Sequence, residues 1–393
     1  MSMLHDLEEI ERTVLAIDPS FRAIERADMD RLISEARQNA LAYSKDAFLL
    51  SLMRLLALPK NGHTRLIPNN AISVLPFRFV SIGKEARLLG APSGLTGAIG
   101  SELMSINGIP VSEIEAAAKP FLAGTRQRRR VIGPILYAWP EALVQLGVFS
   151  GGGTIKHQMR HETGRISELV PDMNDVVPGS ALYPRNEHGK ADAFWSPETY
   201  LEIRDFGQRG LLIVLPSFFD PGETDFSNAI SDAADCARSR PETPLVIDLR
   251  GNTGGDFLKA MPLIEAISET SDARKCGVLV DKFTFSAAIV FVAILKHRLG
   301  SRLVLIGEEM GDGLTFFAEG GTLDLSSGGA VVRYSSAFHD WAEGRIDETT
   351  PREIAGQIVP VGRLEFDRCW IAISDDVDAR DQFCREVLDS LNV

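Results

Sequence analysis

Ser286 stands where one apolar run ends and a helical pattern begins. CGVLVDKFTF precedes it, and an unbroken amphipathic-to-apolar stretch from Ala287 to His297 follows. A serine at a strand-to-helix junction feels the helix N-terminal dipole, which favours negative charge developing nearby. That suits a nucleophile attacking a carbonyl. The same serine could also be a plain helix N-cap, worth about 1 kcal/mol and catalytically silent. Ahead of it, PLVIDLRGNTGG is a β-branched run, Leu245 to Leu249, ending in a glycine-rich turn at Arg250 to Gly255. After it, RLVLIGEEMGDG is a strand ending in a second glycine turn. Repeated strand, glycine turn and helix predict a mostly parallel sheet with functional groups gathered at strand ends. Gly254 and Gly255 serve backbone geometry in any such turn. Far upstream, His63 in LPKNGHTRLIP lies just past a helix terminus. An imidazole titrates near pH 6.5 and is suited to taking and returning a proton near neutrality.

These groups need elements to hold them. Residues 1–70 read as helical, because LEEIERTVLAI, ADMDRLISEARQNALAY and KDAFLLSLMRLLAL place apolar residues three and four apart. Pro59 and Gly62 end the last of these helices. Residues 71–165 turn to short strands, with a hairpin-type Asn107–Gly108 turn and an acidic amphipathic helix after it. Residues 166–198, rich in Pro, Gly, Asn and Asp, predict a linker. Residues 199–393 form the predicted domain around Ser286. The fold class expected is α/β, in a multi-domain chain.

At 393 residues the chain exceeds what one core usually serves. A formal charge of −13 argues against nucleic acid or acidic membrane surfaces as partners. The basic cluster Arg126 to Arg130 reads as a solvated turn. Four cysteines without C-x-x-C spacing imply neither zinc nor a disulfide framework. His157, His161, His297 and His339 share no metal spacing, so no metal or cofactor is expected. No apolar run reaches the roughly 18 residues of a membrane span. The amino terminus MSMLHDLEEIERT lacks an apolar signal core, which points to the cytoplasm. A homo-oligomer stays open.

Taken in order, DLRGNTGG, VLVDKFTFSAA and LIGEEMGDG resemble the core of the C-terminal-processing and tricorn-type serine peptidases. The resemblance implies a ClpP/crotonase-like catalytic domain acting on a peptide or protein substrate. At the matching positions it implies Ser286 as nucleophile, with Gly254, Gly255 and Ala287 forming the oxyanion hole. GAIGSELMSINGIPVSEIEAAAKPFLAG resembles the PDZ-like insert of the same family, a fold that adds an extended peptide at a sheet edge. C-terminal-processing members take a lysine base from a G-K-G-like turn. Here that turn is Gly311-Asp312-Gly313, so a serine–lysine dyad is not expected. Tricorn-type members use a histidine in L-x-D-G-H-T, which NGHTRL matches at His63. Gly62 stands where tricorn carries a serine that orients its histidine. A late "G-x-x-I-E" segment places the orienting acid at Asp347 in EGRIDETTP, with Glu343 and Glu348 as rivals. His339 is the runner-up base. The site would then join the first and last parts of the chain. Two other readings stand beside this one. The first is a non-catalytic peptide- or ligand-binding protein, as the retinoid-binding relatives of the eye illustrate. The second is a crotonase-type acyl-CoA enzyme, which has no place for the helical and PDZ-like regions.

Overall fold

The helical periodicity of the amino terminus is realised as helices Met3–Glu9, Arg26–Leu41 and Lys45–Ala57. The computed structural model describes residues 2–68, 70–182, 201–219, 225–269, 274–327, 329–371 and 377–391. It divides into two units, Met1–Pro184 with Phe317–Ala337, and Arg185–Phe316 with Phe338–Val393.

In the first unit, helix Lys45–Ala57 is buried almost all round, and its Phe48, Leu52 and Leu56 share a core with Phe77, Phe79, Leu103 and Met159. A helix apolar on every face must lie inside, and here helix Arg26–Leu41, strand Arg65–Ile67 and the short helical segments Lys119–Phe121 and Pro140–Gln145 pack on it, while strands from beyond residue 70 share its core. Those strands form an antiparallel sheet in the order Arg78–Ile82, Glu85–Gly90, Glu102–Ile106, His157–Arg160, Ile166–Leu169. Asn107 (φ 50°) and Gly108 (φ 82°) reverse the chain into Ile109–Pro110, as an Asn-Gly hairpin turn requires. Strands Ile166–Leu169 and Val177–Pro178 fall within the stretch predicted as linker; its residues 183–198 lie outside the described residues. The strand Arg65–Ile67 pairs antiparallel with Val331–Tyr334, which pairs with Gly321–Asp324. Residues 317–337, read from sequence as part of the last domain, therefore complete the first unit. A register such as Leu66 opposite Val332 leaves no local pattern in the sequence.

His157 sits inside this sheet with no exposed surface, stacked on Phe79 at 5.6 Å and edge-on to Phe77 at 5.2 Å. Its Nε2 meets the Tyr137 carbonyl at 2.9 Å. Burial pushes its pKa down to about 4, against a smaller upward pull from backbone hydrogen bonds. The unfolded chain therefore binds a proton that the folded one refuses between about pH 6.5 and 4. Stability contributed by this neutral ring is full above pH 6.5 and falls with acidification, by roughly 3 kcal/mol at the low end. Urea midpoints at pH 7.5 and 4.5 should show this slope, and His157→Gln should flatten it. An equal slope in the variant would assign the acid sensitivity elsewhere.

The second unit is a six-stranded sheet in the order Glu202–Asp205, Leu211–Val214, Leu245–Asp248, Cys276–Val280, Leu303–Gly307, Arg368–Cys369. The first pair is antiparallel and all later pairs are parallel. The inner strands are buried along their whole length, the pattern of a parallel sheet covered on both faces. Leu212, Val214, Val246, Leu279 and Ile306 pack against Phe383, Val387, Leu388 and Leu391 of the terminal helix Val377–Leu391. Alternate residues such as Leu211, Ile213, Ile247 and Leu305, also buried, face the other way. Helices Asp225–Arg238, Met261–Ser268 and Ala287–Leu299 complete the connections between strands. Among the described residues, no helix is long and apolar enough to cross a membrane.

Candidate active site

Four loops leave the C-terminal ends of the parallel strands, and hydrogen bonds tie them to one another. The strand Leu245–Asp248 runs into the turn Arg250–Gly255 behind a buried ion pair. Arg250 Nε and Nη2 donate to the two oxygens of Asp248 at 2.8 and 2.5 Å, and the guanidinium stacks over Trp370 at 4.7 Å. Burial alone would lower the Arg250 pKa; the adjacent Asp248 charge more than reverses this and holds it above its ordinary value. Next, the Gly251 N–H donates to Asp281 at 3.0 Å. Asp281 also accepts from the N–H groups of Phe283 and Thr284, at 2.9 and 3.1 Å. Thr284 Oγ1 donates to the Leu249 carbonyl at 3.0 Å, and the Phe285 N–H to the Asn252 carbonyl at 3.0 Å. The Gly311 N–H donates to the Thr284 carbonyl at 2.9 Å. One carboxylate, one hydroxyl and a few backbone groups thus bring the glycine turn, the Gly311–Gly313 turn and the chain just before Ser286 together.

Ser286 itself has φ 56° and ψ −126°. L-residues avoid this region, which costs of order 1–3 kcal/mol and persists only where surrounding contacts impose it. Its side chain makes no capping hydrogen bond to the helix that follows. The N-cap alternative raised by the sequence is therefore not realised. Ser286 thus stands in a strained conformation on a sharp strand-to-helix turn, between strand Cys276–Val280 and helix Ala287–Leu299. Ala287 begins the helix, and among the described residues no protein acceptor takes its N–H.

Gly254 lies directly against this turn. A Cβ built on it would sit 2.7 Å from Ser286 Cβ and 3.1 Å from the Ala287 nitrogen, and its φ is +101°. Gly255, at φ +134°, is pressed on Phe218, whose carbonyl carbon would be 2.1 Å from a Cβ there. The Phe218 N–H donates to the Gly254 carbonyl at 2.9 Å, and the Asp256 N–H to the Phe218 carbonyl at 3.0 Å. The two amides differ. The Gly254 N–H donates to Asn252 Oδ1 at 2.8 Å, whereas the Gly255 N–H has no protein acceptor among the described residues. Asn252, fully buried, also donates from Nδ2 to the Leu215 carbonyl at 2.8 Å. Sequence reasoning missed this residue, although an Asn two residues before a Gly pair is a readable Asx-turn signal.

Gly254→Ala should consequently be severe. Both the forbidden φ and the Ser286 contact oppose a methyl group, for a loss of about 2–4 kcal/mol. Gly94→Ala is the control, since nothing lies within 4 Å of its Cβ position. Thermal melts of the two variants should differ clearly; equal melting temperatures would mean that the glycine turn is not held against Ser286.

The remaining predicted residues are placed as follows. His63 is half-buried on the turn between helix Lys45–Ala57 and strand Arg65–Ile67, in the first unit. Asp347 Oδ1 accepts from both the N–H and Oγ1 of Thr349, at 2.8 and 2.6 Å, so it organises its own turn. Glu343 is largely exposed and pairs with Arg345 at 3.2 Å. Asp312 accepts from the Gly313 N–H at 2.9 Å, on the turn that meets the Ser286 loop. His339 is stacked on Phe316 at 4.9 Å and tilted against Trp341 at 6.4 Å. Burial pushes its pKa down to about 4, which makes it a weak base at neutral pH. Among the described residues, no group of three or more His, Cys, Asp or Glu is placed to hold a metal ion.

No protein-family model matches the sequence, and no curated protein matches it. Solved structures do. Mature CPAF matches with a TM-score of 0.57 at 12% identity, covering 99% of this chain and 96% of that chain. Mature CPAF complexed with lactacystin matches with a TM-score of 0.55 at 13% identity, covering 99% and 98%. At this identity the likeness is one of fold, and it extends over nearly the whole of both chains.

Proposed function

We propose that this protein is a serine-type peptidase that hydrolyses peptide bonds in peptides or proteins. The backbone of Ser286 carries the reading. A strained, non-capping serine at a helix start, held against a glycine turn by cross-tied loops, is costly for a purely structural residue. The motif resemblance to C-terminal-processing and tricorn-type peptidases points to the same residue.

In this mechanism His63 takes the proton as Ser286 Oγ attacks the substrate carbonyl carbon. The oxygen becomes an oxyanion, held by the Ala287 and Gly255 N–H groups at the positive end of helix Ala287–Leu299. Gly254 has its amide committed to Asn252, and its part is to let the turn approach Ser286 without a side chain. His63 then protonates the leaving amine, leaving an acyl group on Ser286 Oγ. Water attacks that ester, His63 again relays the proton, and acid and free enzyme result. Asp347, with Oδ1 engaged by Thr349, keeps Oδ2 for orienting the imidazole. The antiparallel sheet of residues 78–169 is assigned the PDZ-like role of receiving an extended segment of substrate as an added strand.

Labelling with a fluorophosphonate probe tests the reading. The wild-type chain should label, Ser286→Ala should not, and His63→Ala should label far more slowly. Loss with Ser286→Ala but not with His63→Ala would move the base elsewhere, with His339 next in line. A folded wild-type chain that never labels would overturn the peptidase reading in favour of a ligand-binding protein on the same fold. Because mature CPAF has been solved complexed with lactacystin, lactacystin is a second probe for this chain.

A further inference from the structure

Asp18 is buried, with 3% of its surface exposed, and lies far in sequence from every residue given a role above. Its two oxygens do different things. Oδ1 caps the short helix Pro19–Ala23 by accepting from the Ser20 N–H at 2.9 Å. Oδ2 accepts from Thr64 Oγ1 at 2.5 Å and from the Ser335 N–H at 2.8 Å. Thr64 is fully buried and follows His63 directly. Its hydroxyl also accepts from Asn61 Nδ2 at 3.0 Å and lies 3.1 Å from Ser335 Oγ. Asn61, on the other side of His63, reaches Ser335 Oγ at 2.9 Å and the Phe317 carbonyl at 3.0 Å, and accepts from the Phe317 N–H at 3.3 Å. The turn is closed by Thr64 N–H donating to the Asn61 carbonyl at 3.2 Å. All of these groups belong to the first unit.

Both neighbours of the Gly62-His63 pair are therefore fixed by buried, fully engaged side chains. A surface turn with no task needs no such anchoring, since burying Asp, Asn, Thr and Ser together stabilises only when every partner is satisfied. Gly62 offers no side chain to steady the ring. We infer that Asp18, acting through Thr64, is the positioning residue that fixes the His63 turn in the geometry needed for proton transfer. This rests on His63 being the base. Misplacing a catalytic group by about 1 Å costs on the order of 100-fold.

The test is a double-mutant cycle on the full chain, read as kcat and KM for a fluorogenic peptide. Thr64→Val is isosteric and removes only the hydroxyl; Thr64→Ser keeps it. Thr64→Val and Asp18→Asn should each lower kcat about 10- to 100-fold and leave KM within about threefold. Thr64→Ser should restore most of the rate. In a His63→Ala background, Thr64→Val should cost nothing further, because groups acting as one unit are non-additive. An equal fall in both backgrounds would overturn the inference and make the network a general structural support. A His63→Ala chain as active as wild type would instead overturn the base assignment on which the inference stands. Should Asp18→Asn fail to fold, the two Thr64 variants decide the matter alone.

Discussion

On the proposed mechanism, replacing Ser286 by alanine is expected to lower kcat for peptide hydrolysis by at least about 10⁴-fold, leaving only what the proposed oxyanion amides and substrate binding would supply. The size of the effect follows from the chemistry. Without an Oγ there is no acyl intermediate, and water would have to attack the peptide directly. KM should change little, because the hydroxyl is a small part of substrate contact. Alanine keeps the Cβ and hence the strain at φ 56°, ψ −126°, so the melting temperature should stay near that of the wild type. Ser286→Gly separates the two properties. It should be equally inactive, yet more stable by about 1 kcal/mol, since relief of 1–3 kcal/mol of strain outweighs the added unfolded-state entropy. Higher stability with lost activity marks a residue held in place for function. If the glycine variant were instead less stable than the alanine variant, the backbone at 286 would not be strained as described.

Replacing His63 by alanine should be the second largest effect, at roughly 10³- to 10⁶-fold in kcat. A serine hydroxyl is a poor nucleophile without a base. In the wild type, an imidazole base must be neutral to accept the proton. Activity should fall as pH drops through the histidine range, about one decade per unit below its pKa. Measuring kcat/KM from pH 5 to 9 checks this. A profile flat across that range would reject an imidazole base. Acid also weakens the fold through His157 and His339, both held neutral by burial. The kinetic limb should therefore be read only where circular dichroism shows the chain still folded.

How far these features could be read from residues alone depended on their range. Strands Leu245–Asp248, Cys276–Val280 and Leu303–Gly307 were legible because β-branched runs end at glycine turns. Helix Ala287–Leu299 was legible because its apolar pattern is unbroken. The Asn107–Gly108 turn announced itself by two residues that tolerate positive φ. The pairing of Leu66 with Val332 was not legible, since each strand is short and nothing local records its partner. The same holds for Asp18, whose value lies in one oxygen meeting Thr64. Asn252 was half visible: its turn could be read, but not that its carboxamide takes the Gly254 amide and leaves that of Gly255. Around Asp347, the motif gave a position, and the structure added its engagement by Thr349.

The passage of residues 317–337 into the first unit bears on how the protein is made. The ribosome releases the chain from its amino terminus, and the His63 turn emerges early. Its anchor at Ser335 follows 271 residues after Thr64, a delay of roughly 15–50 s at 5–20 residues per second. Until then Asp18 lacks the Ser335 N–H, Asn61 lacks its bonds to Phe317 and Ser335, and strand Arg65–Ile67 lacks the strand beside it. A nascent or prematurely terminated chain would carry the histidine without its mounting. Synthesis of residues 317–337 thus acts as a timer for the His63 turn, whose mounting is complete only long after the turn itself has been made.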